Sequence, residues 1–168
     1  MAILVSDTSV LIDLERGEFL RCAFELEADL AVPDLLFERE LKGELRDELL
    51  ALGLRVESLT EEGVAQAQGY RLRQSRLTVP DTFALTLAQR NRWVLLSGDG
   101  ALRALAEVEG VTCHGVLWLI DQIETENAAT TLQLRDGLQR LADHPRCRLP
   151  MEEVTTRLQR YARLLADE

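Results

Sequence analysis

Three aspartates stand where short apolar segments give way to helical ones. Asp7 follows the segment 2–5, Asp99 follows the segment 93–96, and Asp81 lies in the first turn of the helix that leads into 93–96. The carboxyl ends of parallel strands share one edge of a sheet, so these side chains should converge. Asp is also a preferred helix N-cap, which would explain any one of them alone. Three in one small chain favour a shared site.

A fourth acid is expected from the helix that follows Pro33. Glu40 lies on the same predicted helical face as Phe37 and Leu41, at the boundary of the interior, so it is preferred to Glu38, which stays the alternative. Four converging carboxylates repel one another and need a cation to compensate. Oxygen-only ligands favour Mg²⁺ or Mn²⁺ over zinc. Such a site supports metal-dependent hydrolysis of a phosphodiester.

The chain carries a net charge of −10, which argues against a nucleic-acid partner until its distribution is examined. Residues 1–62 hold 16 acids and six bases, whereas the remainder holds 13 acids and 13 arginines. Between Tyr70 and Arg103 six arginines face only two acids, Asp81 and Asp99. Arginine replaces lysine almost everywhere in this chain, so a single arginine means little. The candidates for phosphate contacts are Arg71, Arg73, Arg76 and Arg103.

Apolar periodicity predicts the elements that must position these residues. The expected strands are 2–5, 30–32, 54–59, 93–96 and 111–113. The expected helices are 8–14, 18–26, 34–49, 64–74, 81–91, one beginning near 101, 116–123, 130–142 and 151–166. This alternation predicts an α/β fold with a mostly parallel sheet and helices on both faces. Strands stop after Thr125, which leaves a C-terminal helical pair.

Composition is typical of a folded soluble protein, with 46% hydrophobic and 29% charged residues among 168. No apolar run approaches the ~20 residues of a membrane span, and the first residues do not resemble a secretory leader, so we expect a cytoplasmic protein without membrane contact. The three cysteines are scattered and the two histidines are far apart, so zinc is not expected. Trp93 and Trp118 lie in apolar runs and are interpreted as core residues rather than base-stacking surfaces.

Four segments, in order, resemble the acidic motifs of PIN domains, particularly those of VapC-like toxin nucleases. They are V-S-D-T-S-V-L-I-D-L from Val5, P-D-L-L-F-E-R-E-L from Pro33, P-D-T-F-A-L-T-L-A from Pro80 and L-L-S-G-D-G-A-L-R from Leu95. The similarity continues through H-G-V-L-W-L-I from His114 and so covers roughly residues 1–125. It implies a PIN-like three-layer sandwich over 1–125, with 126–168 as a helical extension packed on the same domain.

The resemblance also implies an activity, a Mg²⁺- or Mn²⁺-dependent endoribonuclease acting as the toxin of a type II toxin–antitoxin pair. Its invariant acids correspond to Asp7, Glu40, Asp81 and Asp99, of which Asp7, Asp81 and Asp99 would hold the metal and Glu40 would orient or deprotonate water. Thr8, Ser9 and Ser97 match polar positions that assist metal or substrate binding. One metal or two remains open, because no second acid follows Asp99. RNA, a cognate antitoxin and a second copy of the chain are the expected partners.

Two other interpretations compete with this one. A PIN-like fold could act without catalysis, as a protein-binding module whose site is inactive or covered by a partner, and the acidity of residues 1–62 would suit a basic partner. A phosphatase of the haloacid-dehalogenase type would need a second acid two residues after Asp7, where Ser9 stands.

Overall fold

A computed structural model describes residues 1–168. The strands are β1 (Ala2–Ser6), β2 (Ala28–Pro33), β3 (Arg55–Glu57), β4 (Val94–Leu96) and β5 (Cys113–His114). The helices are α1 (Thr8–Arg16), α2 (Leu20–Phe24), α3 (Asp34–Glu40), α4 (Gly43–Leu52), α5 (Glu61–Arg73), α6 (Val79–Asn91), α7 (Gly100–Val108), α8 (Val116–Thr125), α9 (Thr131–Asp143) and α10 (Met151–Ala166). None of these helices is long and apolar enough to cross a membrane.

The sheet has the order β3-β2-β1-β4-β5, and every pairing in it is parallel. From β1 the chain proceeds outward through β2 to β3, then returns to the other side of β1 for β4 and β5. The crossover direction therefore reverses between β1 and β4. In open parallel sheets, the crevice at the carboxyl ends of two such strands is the usual ligand site. Residues that follow β1 and β4 are thus placed where chemistry is expected.

Two apolar cores cover the two faces of the sheet, because successive side chains of a strand point to opposite faces. Leu4 of β1 belongs to a cluster of 27 buried residues that includes α1, α2, α8, α9 and α10. Its neighbour Val5 belongs to a cluster of 12 buried residues that includes Tyr70 of α5 and much of α6 and α7. The predicted α/β class and three-layer arrangement are confirmed.

The predicted single helix over 34–49 is wrong, since the chain breaks it into α3 and α4. Leu41 takes an extended conformation (φ −92°, ψ 118°) and Gly43 takes φ 62°. Glycine reaches positive φ without steric cost, and inside a helix it costs about 1 kcal/mol relative to alanine. Leu41 lies in the larger core, so the break turns its side chain inward. Glu40 consequently lies at the end of α3 rather than inside a long helix.

The C-terminal pair shares the larger core with the sheet. Leu134, Leu138 and Leu141 of α9 and Val154 and Tyr161 of α10 all belong to the cluster that contains Leu4. These five side chains are almost completely buried. The pair therefore closes one face of the sheet layer.

Two ion pairs fasten α10 to α8. Arg157 binds Asp121 through both carboxylate oxygens, at 2.8 and 2.7 Å, and Arg160 binds Glu124 in the same way, at 3.3 and 2.5 Å. Bidentate arginine–carboxylate contacts fix geometry as well as distance. The middle of α10 is thereby held against the second half of α8.

A pair of glycines brings α1 and α9 into close contact. A methyl group on Gly137 of α9 would lie 2.6 Å from the carbonyl oxygen of Gly17 and would collide with the ring of Phe19. Phe19 is only 1% exposed and has no space to move. Arg140 adds a hydrogen bond to the Gly17 carbonyl at 3.1 Å. Position 137 of α9, which lies opposite the end of α1, therefore requires glycine.

Candidate active site

Asp7 is the N-cap of α1 because the chain passes from β1 directly into that helix. Its Oδ1 accepts hydrogen bonds from the Val10 amide at 3.0 Å and the Ser9 hydroxyl at 2.8 Å. The residue is only 3% exposed, and burial raises the pKa of its carboxyl, while hydrogen bonds from Ser97, Val10 and Ser9 oppose the rise. A buried carboxylate held by three donors is rigidly oriented.

Ser97 connects the acid of β1 to the acid of β4. Its hydroxyl donates to Asp7 Oδ2 at 2.5 Å and accepts from the Asp99 amide at 3.0 Å. The side chain is fully buried at the carboxyl end of β4. A single hydroxyl therefore fixes Asp7 and the backbone of Asp99 relative to each other across the crevice.

Asp99 and Asp81 each use one oxygen to cap a helix. Asp99 Oδ1 accepts from the Leu102 amide at 2.9 Å, and Asp81 Oδ2 accepts from the Thr78 amide at 3.0 Å in a capping box. In both residues the remaining carboxylate oxygen has no hydrogen bond from the protein. One oxygen of each carboxylate therefore caps a helix, and the other oxygen is available to a ligand.

Glu40, the last residue of α3, lies near Asp7 and Asp81. Burial raises the pKa of its carboxyl and the negative charges of Asp81 and Asp7 raise it further, whereas the Thr8 hydroxyl opposes the rise. The Thr8 hydroxyl oxygen is itself buried without a hydrogen bond of ordinary length. Glu38 lies 4.0 Å from Arg46 instead. Of the two glutamates, Glu40 is the one that faces the other acids.

The acids fit a hydrated divalent cation better than a closed metal cage. No three His, Cys, Asp or Glu side chains are arranged as a complete set of metal ligands. Mg²⁺ is commonly held by one or two carboxylates and keeps several waters, and it prefers oxygen donors. Asp7, Glu40 and Asp81 repel one another, as the rises in the pKa of Asp7 and Glu40 indicate, and Asp99 is joined to them by Ser97. These donors suit Mg²⁺ or Mn²⁺.

Of the four predicted phosphate-contacting arginines, only Arg103 lies beside the acids. It follows Asp99 by one turn of α7, and its guanidinium is close to Gly115 and lowers the pKa of His114. Arg73 pairs with Glu109 at 3.4 Å, beyond the opposite end of α7, roughly 15 Å along the helix from Asp99. Arg71 and Arg76 make no hydrogen bond or ion pair with the four acids.

The structure adds residues that the sequence analysis did not single out. Asp13 of α1 is half-buried, and burial and the charge of Asp7 raise the pKa of its carboxyl while Arg16 opposes the rise. Asp13 lies within the first acidic motif, and this position was a sequence signal that could have identified it as a candidate site residue. Arg146 and Arg148, between α9 and α10, line a groove with Ser9 and Asp99. The position of Arg146 and Arg148 depends on how α9 and α10 fold, and no local sequence pattern predicts it.

Trp118 is not simply a core residue. Its ring stacks on His114 with centroids 4.1 Å apart and planes 7° from parallel. Both residues are half-buried, and both line a cavity that Arg103 and Gly98 also border. Trp118 packs one side against the larger core and leaves part of its surface at this cavity.

Comparison with known proteins gives a family and a fold. A family model described as a PIN domain (DUF3368) matches residues 3–163, which extends past the predicted limit of similarity at 125. Among solved structures, a PilT N-terminus domain protein from the hyperthermophilic archaeon Sulfolobus solfataricus is similar with a TM-score of 0.50 and 14% sequence identity, over 73% of this chain and 93% of that one. No curated protein sequence matches.

Proposed function

This chain belongs to the PIN domain family, whose members are generally nucleases, and from that premise we propose that it is a Mg²⁺- or Mn²⁺-dependent endoribonuclease. The observation that carries the proposal is the hydrogen-bonded connection Asp7–Ser97–Asp99 across the ends of β1 and β4. It places two acids at the reversal point of a parallel sheet, with Glu40 and Asp81 close by. A chain kept only for protein binding has no need of four acids held together against their repulsion.

The environment of each acid indicates its role in the proposed reaction. Asp7, Asp81 and Asp99 would hold the metal, directly or through water. Asp81 and Asp99 would use the oxygen that capping leaves free, and Asp7 would use Oδ2, which also accepts from Ser97. A bound Mg²⁺ or Mn²⁺ supplies a Lewis acid that stabilises the charge developing on the phosphate and lowers the pKa of coordinated water.

Glu40 accepts the proton of the attacking water. A general base works best when its pKa lies near the working pH, and the partial burial of Glu40 and the charges of Asp81 and Asp7 move its pKa upward from the ordinary value. The Thr8 hydroxyl opposes the rise in the pKa of Glu40, and the hydrogen bond from Ser97 opposes the rise that burial causes in the pKa of Asp7.

Cleavage of a fluorescent single-stranded RNA tests the proposal. We expect cleavage with Mg²⁺ or Mn²⁺ and none with EDTA. Asp99→Asn should fold normally, because Asn is also a good N-cap, yet cut on the order of 100-fold or more slowly, a loss typical of removing a group that stabilises transition-state charge. Asp136→Asn, at an exposed residue of α9, is the matched control and should cut like the wild type. Cleavage in EDTA, or full activity of Asp99→Asn, would refute the proposal.

The same proposal includes the biological setting. We infer a toxin that is neutralised by an antitoxin and forms a homodimer, supported by the resemblance to VapC-like nucleases and by the acidity of residues 1–62, which suits a basic segment of a partner. Induced expression should arrest growth with the wild type and not with Asp99→Asn. Light scattering at micromolar concentration measures the dimer directly.

A further inference from the structure

A groove of about 560 Å³ opens beside Asp99. One wall is α1 with Ser9 and Asp13, and the opposite wall is the segment 145–149 between α9 and α10. A second cavity of about 280 Å³ shares Gly98, Asp13 and Arg148 with the groove and reaches the stacked rings of His114 and Trp118. The two spaces adjoin each other and are lined by Asp99 but by none of the other three proposed acids, and we name them together the C-terminal groove.

Three arginines on this groove have no acidic partner. Arg103, Arg146 and Arg148 are exposed, and none of them forms an ion pair. Arg157 also lines the groove, but its Nε and Nη2 bind the Asp121 carboxylate and its Nη1 donates to the Glu153 carbonyl oxygen, so its charge is already neutralised. Asp13 is likewise accompanied by Arg16, at 3.9 Å. Glu153 and Asp99 are the acids of the groove that form no ion pair, so the three arginines leave a small positive excess beside Asp99.

The arginine-bearing segment is held in place by the fold. The ion pairs of Arg157 and Arg160 fix the middle of α10 on α8, and the contact between Gly17 and Gly137 fixes α9 on α1. Within the segment, the Arg146 amide donates to His144 Nδ1 at 3.1 Å. Pro145 and Pro150 restrict its backbone further. Arg146 and Arg148 thus stand over the groove without a large ordering cost on binding.

The aromatic pair adds a flat apolar surface farther along the path. Burial and the nearby Arg103 lower the pKa of His114, so its ring is neutral near pH 7. A neutral imidazole stacked on an indole suits contact with a nucleobase, and base stacking on aromatic rings is worth about 1–3 kcal/mol per base.

We propose that the C-terminal groove binds single-stranded RNA, with Arg103, Arg146 and Arg148 contacting backbone phosphates on either side of Asp99 and the His114–Trp118 pair contacting a base. The inference rests on the proposed nuclease function and names the path by which its substrate reaches the acids. Guanidinium groups bind phosphate oxygens bidentately, and single-stranded RNA exposes both phosphates and unstacked bases. The basic side of the site is then supplied by the C-terminal pair and α7, not by the arginines of α5.

Binding of a fluorescein-labelled single-stranded RNA, measured by anisotropy with Ca²⁺ replacing Mg²⁺, tests the inference. The double variant Arg146→Gln/Arg148→Gln should weaken binding at least about tenfold and reduce the slope of log affinity against log salt by about 0.7 for each lost phosphate contact. His114→Ala should weaken binding with an unchanged slope, because it removes stacking and no charge. Arg163→Gln, at an exposed arginine of α10 outside the groove, is the matched control and should bind like the wild type.

Three results would overturn the inference. The first is wild-type affinity and slope in Arg146→Gln/Arg148→Gln. The second is a loss of binding in Arg71→Gln/Arg76→Gln instead, which would put the RNA on the α5 side. The third is displacement of the RNA by polyglutamate at equal charge concentration, together with a loss of polyglutamate affinity in the same double variant. That result would make the groove a site for an acidic polypeptide. If the wild type binds RNA as described but never cuts it with Mg²⁺ or Mn²⁺, the nuclease proposal fails and the groove stands.

Discussion

Ser97 is the residue through which the two central strands share an active site. Its hydroxyl bonds both the Asp7 carboxylate and the Asp99 amide, and the bond to Asp7 is the strongest of the contacts that lower the pKa of that carboxyl. Its role is to position the two acids and to oppose the rise in the pKa of Asp7.

Ser97→Ala should therefore change the pH dependence of cleavage as well as its rate. Loss of the hydrogen bond raises the pKa of Asp7, so a higher pH is needed to ionise it, and the acidic limb of the rate profile should move to higher pH. A rate loss of about 10- to 100-fold is typical of removing a residue that supports a metal ligand. Ser58→Ala, which removes a hydroxyl bonded to Asp34 away from the site, should leave the profile unchanged. A slower enzyme with an unshifted limb would mean that Ser97 acts only through packing.

Sequence reasoning at this scale succeeded where a residue's role follows from its place after a strand. Asp7 and Asp99 follow β1 and β4, and parallel strands deliver such residues to one edge. It failed for Arg73, because charge balance along the chain does not reveal which end of a neighbouring helix a side chain meets. Arg73 meets Glu109, beyond the end of α7 away from Asp99.

Among the elements, the position of α9 depends on a close contact between glycines that a hydrophobic pattern does not predict. Periodicity predicted a helix over 130–142 and its apolar face, and the structure has α9 over 131–143. The pattern could not show that Gly137 faces Gly17 and Phe19, since that depends on how closely two helices approach. The break between α3 and α4 was missed for a related reason, because the amphipathic pattern continues across Gly43 and does not reveal its positive φ.

Gly137→Ala should destabilise the protein by about 1–3 kcal/mol, because the added methyl would enter a filled space between the Gly17 carbonyl and the Phe19 ring. Gly69→Ala is the matched control. Gly69 also lies inside a helix, but nothing lies within 4 Å of an added methyl, so the substitution should stabilise by up to about 1 kcal/mol. Urea unfolding of both variants measures the difference. Equal effects of the two substitutions would show that α1 and α9 separate readily.

For the molecule as a whole, the C-terminal pair shares the larger apolar core with the sheet, so we expect the two to unfold as one cooperative unit. A chain ending at Thr125 would expose the surfaces that Leu134, Leu138 and Tyr161 cover, and we expect it to lose its cooperative urea transition. A chain ending at Arg163 keeps those three residues and removes mostly exposed ones, so it should unfold as the full chain does. Circular dichroism during urea titration distinguishes the two. A cooperative transition of the 1–125 chain would establish it as an independent domain.

The net charge of −10 describes the molecule poorly, because it does not show which charges lie together in the folded chain. The excess acid is confined to residues 1–62, whereas the groove arginines come from α7 and from the segment between α9 and α10. Folding brings Arg146 and Arg148 from the last third of the chain into one groove with Ser9 from the first tenth and with Asp99. A sum over the sequence cannot represent that juxtaposition, although the alternation of strands and helices was enough to predict the fold class.

The pairing of β1 with β4 also determines when the candidate site is assembled during synthesis of the chain. Asp7 emerges from the ribosome early, but Ser97 lies 90 residues later, and the helices that complete the core come last. Contacts between such distant residues form late, because a long loop must first be closed. A nascent chain therefore carries isolated acids and no assembled site. If RNA is the substrate, the messenger being translated is safe from the chain it encodes until translation is complete.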